Sequence, residues 1–127
     1  MKVIEGNGAK IPAIGLGTWE LRGRTCARLV EQALRLGYRH IDTAQAYENE
    51  REVGEGLRAS GIKRDELFVT TKVWTTHFAP HDLERSTKES LSKLHLRRSI
   101  YCCCIGPIHG CRCRRPWARW RMSSKSV

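Results

Sequence analysis

The sequence predicts an α/β fold in which parallel strands alternate with helices. Strand-like apolar runs and helix-period segments alternate three times, at intervals of roughly 25 to 30 residues. Helix-stop glycines fall between the segments, as Gly37 and Gly61 do. Repeated strand–helix–strand order demands right-handed crossovers, and these make neighbouring strands parallel.

Lys2–Ile4 and Lys10–Ile11 flank Glu5-Gly6-Asn7-Gly8-Ala9, which reads as an N-terminal β-hairpin because Gly and Asn accept positive φ. Ala13–Trp19 is a short apolar strand. Cys26, Leu29, Val30, Ala33 and Leu34 recur at helical spacing, with Thr25 in the N-cap role and Gly37 as the stop. Tyr38–Thr43 is a second strand. A second helix runs from Glu48 to Ser60 with Val53 and Leu57 on one face. Leu67–Trp74, rich in β-formers, is a third strand. Pro80 opens a third helix whose apolar face is Leu83, Thr87, Leu91 and Leu94.

Two architectures satisfy this order, an open doubly wound sheet or a closed barrel. A dinucleotide-binding sheet calls for G-x-G-x-x-G after its first strand. Gly15-Leu16-Gly17 is followed by Thr18-Trp19-Glu20, so the third glycine is missing and the pair reads as close packing at a strand end.

The net charge of +10 is unevenly spread. Residues 1–96 carry 15 basic and 13 acidic side chains, whereas residues 97–127 carry 8 basic and none acidic, with five of the six cysteines. The chain is therefore two unlike pieces: a near-neutral unit over 1–96 and a basic, Cys-rich tail over 97–127. The start has no long apolar run of a signal peptide and no stretch long enough to span a bilayer, so the expected compartment is the cytoplasm.

Three segments put polar residues at the carboxyl ends of strands: Gly17-Thr18-Trp19, then His40 to Glu50, then Thr70 to Trp74. In a parallel barrel those ends share one face, which would bring Asp42, Tyr47 and Lys72 together. A phenol is a poor acid at neutral pH. An adjacent ammonium favours its phenolate, and a carboxylate keeps that ammonium charged and oriented. Such a trio can protonate a carbonyl oxygen as hydride reaches the carbon. Taken singly, Asp42 and Lys72 read as a structural ion pair, Tyr47 as a helix-start residue, and Cys26 as a small core residue.

Three ordered blocks, Gly15-Leu16-Gly17-Thr18-Trp19, His40-Ile41-Asp42-Thr43-Ala44 with Tyr47, Asn49 and Glu50, and Thr71-Lys72-Val73-Trp74, resemble the aldo-keto reductase family over residues 1 to about 96. The resemblance implies an NADPH-dependent reductase of aldehydes and ketones, commonly monomeric. Its fold would be the first three β/α units of a (β/α)8 TIM barrel, preceded by the β-hairpin and followed by an irregular tail. It implies Tyr47 as proton donor tuned by Lys72 and Asp42, with Gly17, Thr18, Trp19 and Asp42 near the nicotinamide. Trp19 and Trp74 would wall the substrate pocket. No metal is implied. The family's fourth catalytic residue, a histidine ending the fourth strand before Trp-Pro, has no in-frame match.

The tail admits other readings. Cys102, Cys104, His109, Cys111 and Cys113 are metal-ligand types, but consecutive cysteines cannot all face one ion and paired C-x2-C knuckles are absent. Eight cations with Trp117 and Trp120 suggest a nucleic-acid patch. The genetic code offers a third reading. Read two bases downstream, each join from Tyr101 to Cys104 encodes Leu. The Cys104–Ile105 join encodes His or Tyr, and the next joins permit Trp and Pro. The shifted frame can read Val-Asp-Leu-Leu-Leu-Leu-His-Trp-Pro-Asn, which contains the missing histidine. We therefore expect a frameshift between about Leu94 and Ser99, a tail that is out of frame and disordered, a truncated barrel whose third strand is an exposed edge, and no activity in the chain as it stands.

Overall fold

The structure, a computed structural model, describes residues 2–6, 9–74, 80–97 and 101–105. β1 (Val3–Gly6) and β2 (Ala9–Pro12) pair antiparallel as the expected hairpin, while its turn residues Asn7 and Gly8 lie outside the described set. Then follow β3 (Leu16–Gly17), α1 (Gly23–Arg35), β4 (His40–Asp42), α2 (Glu50–Ala59), β5 (Phe68–Trp74), α3 (Pro80–Lys93) and β6 (Tyr101–Ile105). Strands β3 to β6 form one sheet in chain order, parallel throughout.

Alternation along the strands sorts residues between two faces. Ile41, Val69, Thr71 and Val73 are buried, whereas their neighbours His40, Asp42, Thr70 and Lys72 are only partly so. The helices cover the first face, and the core there joins Cys26, Val30 and Leu34 of α1, Val53 and Leu57 of α2, Leu94 after α3, and Ile41 and Val69 of the sheet. The second face carries the polar side chains. His40 Nε2 lies 3.2 Å from Thr70 Oγ1 there, and its ring meets Phe68 edge-on at 4.8 Å. One side of the sheet layered by helices is the arrangement of an arc of barrel wall.

Several expectations need correction. The first strand is only Leu16–Gly17, and α1 begins at Gly23 behind Arg22, so Thr25 lies inside the helix instead of capping it. Gly37 at φ +103 and Gly61 at φ +69 do end α1 and α2, in a conformation costly for any side chain. The second helix starts at Glu50, because Gln45–Tyr47 forms a separate 3-10 turn and Glu48 is left-handed at φ 54. The buried stripe of α3 is Ser86 and Ser90, continued by Leu94 just past its end, with Leu83, Thr87 and Leu91 half-buried beside it. Both serines bond Gln45, so a polar partner turned the helix away from its apolar register.

The tail is not irregular throughout, and β5 is not an edge. Tyr101–Ile105 pairs with Thr70–Trp74 in parallel register, from Thr70 opposite Tyr101 to Trp74 opposite Ile105. A strand needs little more than extended backbone and an unpaired neighbour, and β5 offers a full ladder of donors and acceptors. Residues 106–127, which carry His109, Cys111, Cys113, Trp117 and Trp120, lie outside the described residues. The metal and nucleic-acid readings fall mostly on them.

Candidate active site

The carboxyl ends of β3, β4 and β5 meet because the strands are parallel and nearly in step: Gly17 pairs with Asp42, and Asp42 with Thr70. Lys72 lies two residues beyond Thr70 on the same face, which carries its ammonium past the end of β4. Its Nζ donates to Asp42 Oδ2 at 2.6 Å, to the Thr43 carbonyl at 3.1 Å and to Tyr47 Oη at 3.3 Å. These three acceptors use the three protons of the ammonium. Burial disfavours the charged form of Lys72, but the hydrogen bonds and charges of Asp42 and then Tyr47 outweigh it, and its pKa lies above the ordinary lysine value.

The structure thus brings Asp42, Tyr47 and Lys72 together. Because Lys72 donates to the phenol oxygen, the phenol keeps its own proton free to donate outward. The side chains stay partly accessible, Lys72 at 16% and Asp42 at 33%, so a ligand can reach the group.

Thr18 is tied directly to this centre: its N–H and its hydroxyl both donate to the Asp42 carbonyl, at 3.0 and 3.1 Å. The two glycines before it differ. A methyl group on Gly15 would lie 2.8 Å from the His40 ring, so the close-packing reading holds there. On Gly17 it would meet nothing within 4 Å, so packing does not explain that glycine. Trp19 and Trp74 are 68% and 44% exposed, large apolar rings left at the rim of the strand ends. Cys26 is fully buried, and its thiol is pushed up to about 11 by burial and then by the charge of Glu52, the state of an inert core residue.

Sequence reasoning missed the residues that hold the Tyr47 turn. Gln45 donates through Nε2 to the Ser86 carbonyl and to the hydroxyls of Ser86 and Ser90, and accepts the Trp74 N–H at 3.2 Å. Arg22 donates to the Tyr47 carbonyl. Asn49 and Glu50 are buried at 0% and 2%, and Glu50 accepts from the Thr71 hydroxyl at 2.6 Å. Asn49 and Glu50 were legible as members of the block around Tyr47 that carries the family resemblance, but not as buried, since burial of a polar side chain is set by distant partners. Among the described residues no group of three or more His, Cys, Asp or Glu side chains is placed to hold a metal ion, and no helix is long and apolar enough to cross a membrane.

Residues 13–101 match the model of the aldo/keto reductase family. The chain is 52% identical over 84 residues to the methylglyoxal reductase DkgB of Yersinia pestis, covering 66% of this chain and 32% of that one. It is 48% identical over 89 residues to the glycerol 2-dehydrogenase (NADP(+)) of Saccharomyces cerevisiae, covering 70% and 28%. Among solved structures it is similar to the Bombyx mori aldo-keto reductase in complex with NADP, at TM-score 0.71 and 39% identity over 76% of this chain and 35% of the other. The chain spans about a third of the length of the relatives it matches.

Proposed function

The chain belongs to the aldo/keto reductase family, and on that premise we propose that its site is the proton-donating half of an NADPH-dependent carbonyl reductase acting on small aldehydes or ketones. The observation that carries this reading is the Lys72 ammonium shared between Asp42, at 2.6 Å, and the phenol of Tyr47, at 3.3 Å. When the carbonyl carbon gains hydride, its oxygen gains the Tyr47 proton. The phenolate left behind is stabilised by Lys72, which Asp42 holds in place.

The residues fit a nicotinamide. Gly17 is exposed with open space where a side chain would stand, and it lies in register with Asp42 and next to Thr18. Gly17, Thr18, Trp19 and Asp42 would hold that end of the cofactor, which supplies the hydride when bound. Trp19 and Trp74, exposed at the rim, would wall the carbonyl substrate.

The proposal has a second part: the reading frame departs from the reductase frame between about Leu94 and Ser99, and the chain in its present frame does not turn over. Support comes from β6. The joins between Tyr101 and Ile105, within a strand paired to β5, are those the shifted frame reads as Leu-Leu-Leu followed by His. That histidine would stand at the carboxyl end of β6, one strand from Lys72.

The test is NADPH oxidation with a small aldehyde, run on the present chain, on the product of a gene with the frame restored by one base, and on Tyr47→Phe versions of each. We expect turnover only with the restored frame, and its loss in Tyr47→Phe. Turnover by the present chain that disappears in Tyr47→Phe would refute the inactivity, and turnover that survives Tyr47→Phe would refute the role of Tyr47.

A further inference from the structure

We propose that Asn49 is the positioning residue that sets Tyr47 against Lys72, by locking the Tyr47 turn to the β3–α1 loop and to the end of β4. The proposal rests on the reading of Tyr47 as proton donor, but it concerns the geometry that makes the Tyr47–Lys72 contact.

Asn49 stands at the N-cap of α2, where an asparagine side chain ordinarily accepts a hydrogen bond from the first turn of its own helix. Here it makes no such bond. Both of its amide protons and its carbonyl oxygen are engaged elsewhere. Nδ2 donates to the carbonyls of Thr18 at 2.7 Å and Leu21 at 2.9 Å, and Oδ1 accepts from the Thr43 hydroxyl at 2.9 Å. Two carbonyls on one side can be met only by the amide NH2, so the orientation of the side chain is determined. Asn49 and Thr43 are fully buried, and the bonds to Thr18 and Thr43 are shielded from water, while that to Leu21 is partly so.

The connections explain the placement. Thr18 bonds the Asp42 carbonyl twice, and the Thr43 carbonyl accepts from Lys72. Asn49 therefore grips the residue on either side of the Asp42–Lys72 pair while lying two residues from Tyr47. The intervening Glu48 is left-handed at φ 54, which sharply reverses the chain between the phenol-bearing turn and α2. A turn of this kind has no strand ladder to fix it. Gln45 fastens its start to α3 and Trp74, and Arg22 touches its carbonyl from the surface. Without Asn49 its far end keeps the exposed Arg22 bond to the β3–α1 loop but loses the buried ties to Thr18 and to Thr43 at the end of β4. The Lys72–Tyr47 contact, at 3.3 Å, has little slack before the hydrogen bond fails.

The test reads the contact directly by NMR on the full chain with 13C-labelled tyrosine, which gives three ring signals, assigned with Tyr47→Phe. The shift of the Tyr47 signal caused by Lys72→Met is measured in the parent, in Asn49→Ala, in Thr43→Val and in Thr43→Ser. We expect a clear response in the parent, loss of most of it in Asn49→Ala with helix content retained, partial loss in Thr43→Val, and recovery in Thr43→Ser. Should Asn49→Ala fail to fold, the Thr43 pair decides by the same readout, because valine removes only the hydroxyl and serine restores it. An undiminished response in Asn49→Ala and Thr43→Val would overturn the proposal and leave the turn to Gln45 and Arg22. No response even in the parent would overturn it as well. The reductase reading fails separately, on turnover, with this response intact.

Discussion

Replacing Gly56 with alanine sets two opposed effects against each other. Gly56 is buried in α2 where that helix crosses α1, and a methyl group there would lie 2.5 Å from the Ala27 carbonyl oxygen, 2.7 Å from Val30 Cβ and 2.9 Å from Val30 Cγ1. Alanine in a helix is favoured over glycine by about 1 kcal/mol. The carbonyl belongs to the α1 backbone and cannot rotate aside, so restoring an ordinary carbon–oxygen contact of about 3.3 Å or more requires α1 to retreat by ~0.8 Å. A gap of that size forfeits about a quarter to a half of each dispersion contact it opens, and the contacts at risk include Cys26, Val30 and Leu34 against Val53 and Leu57. Overpacking of this kind costs about 1–3 kcal/mol, and an unyielding backbone neighbour places Gly56 toward the upper end. The net expectation is destabilisation of about 1.5 kcal/mol. In a urea titration followed by far-ultraviolet circular dichroism, that lowers the midpoint by about 0.5–1.5 M for typical slopes. Ala59→Gly, at the exposed end of α2, calibrates the propensity term in the same helix. A Gly56→Ala midpoint equal to or above the parent's would show that α1 and α2 do not approach this closely, and the packing argument would fall.

Gly17→Ala should leave the unfolding free energy from a urea titration within about 0.5 kcal/mol of the parent's, since nothing lies within 4 Å of the added methyl; a marked loss would mean that the fold itself requires this glycine. Lys72 has a folded pKa above its ordinary value, so its contribution to stability is complete below the unfolded lysine value of about 10.4 and is lost as pH rises through the folded one. Stability measured from neutral pH into that range should therefore fall more steeply in the parent than in Lys72→Met, and equal slopes would contradict the Asp42–Lys72–Tyr47 arrangement. Cys26, buried with its thiol pushed up to about 11, should resist iodoacetamide at pH 8 in the native chain and react once urea is added; peptide mapping that finds it modified under native conditions would refute its burial.

The sequence alone determined the alternation of strands and helices, because hydrophobic period and glycine stops are local signals that survive without a partner. It also determined which polar residues stand at strand ends, and the three ordered blocks identified the family from residue type and spacing. Element boundaries were less legible. Thr25 had the chemistry of an N-cap, yet α1 begins two residues earlier, where the chain leaves Arg22. The inward face of α3 followed Ser86 and Ser90 because Gln45, some forty positions earlier in the chain, supplied their hydrogen-bond partner. No window of sequence contains both ends of that interaction. Asn49 is similar: its cap position promised a bond within its own helix, and its buried side chain instead makes two distant ones and one to Thr43, six residues back. β6 is the sharpest case. Tyr101–Ile105 carries no alternating pattern, and only the unpaired ladder of β5 makes it a strand. Local propensity and spacing select elements and candidate chemistry, whereas the 2.6 and 3.3 Å contacts that turn Asp42, Tyr47 and Lys72 into one centre exist only after parallel strands bring residues thirty positions apart to the same edge.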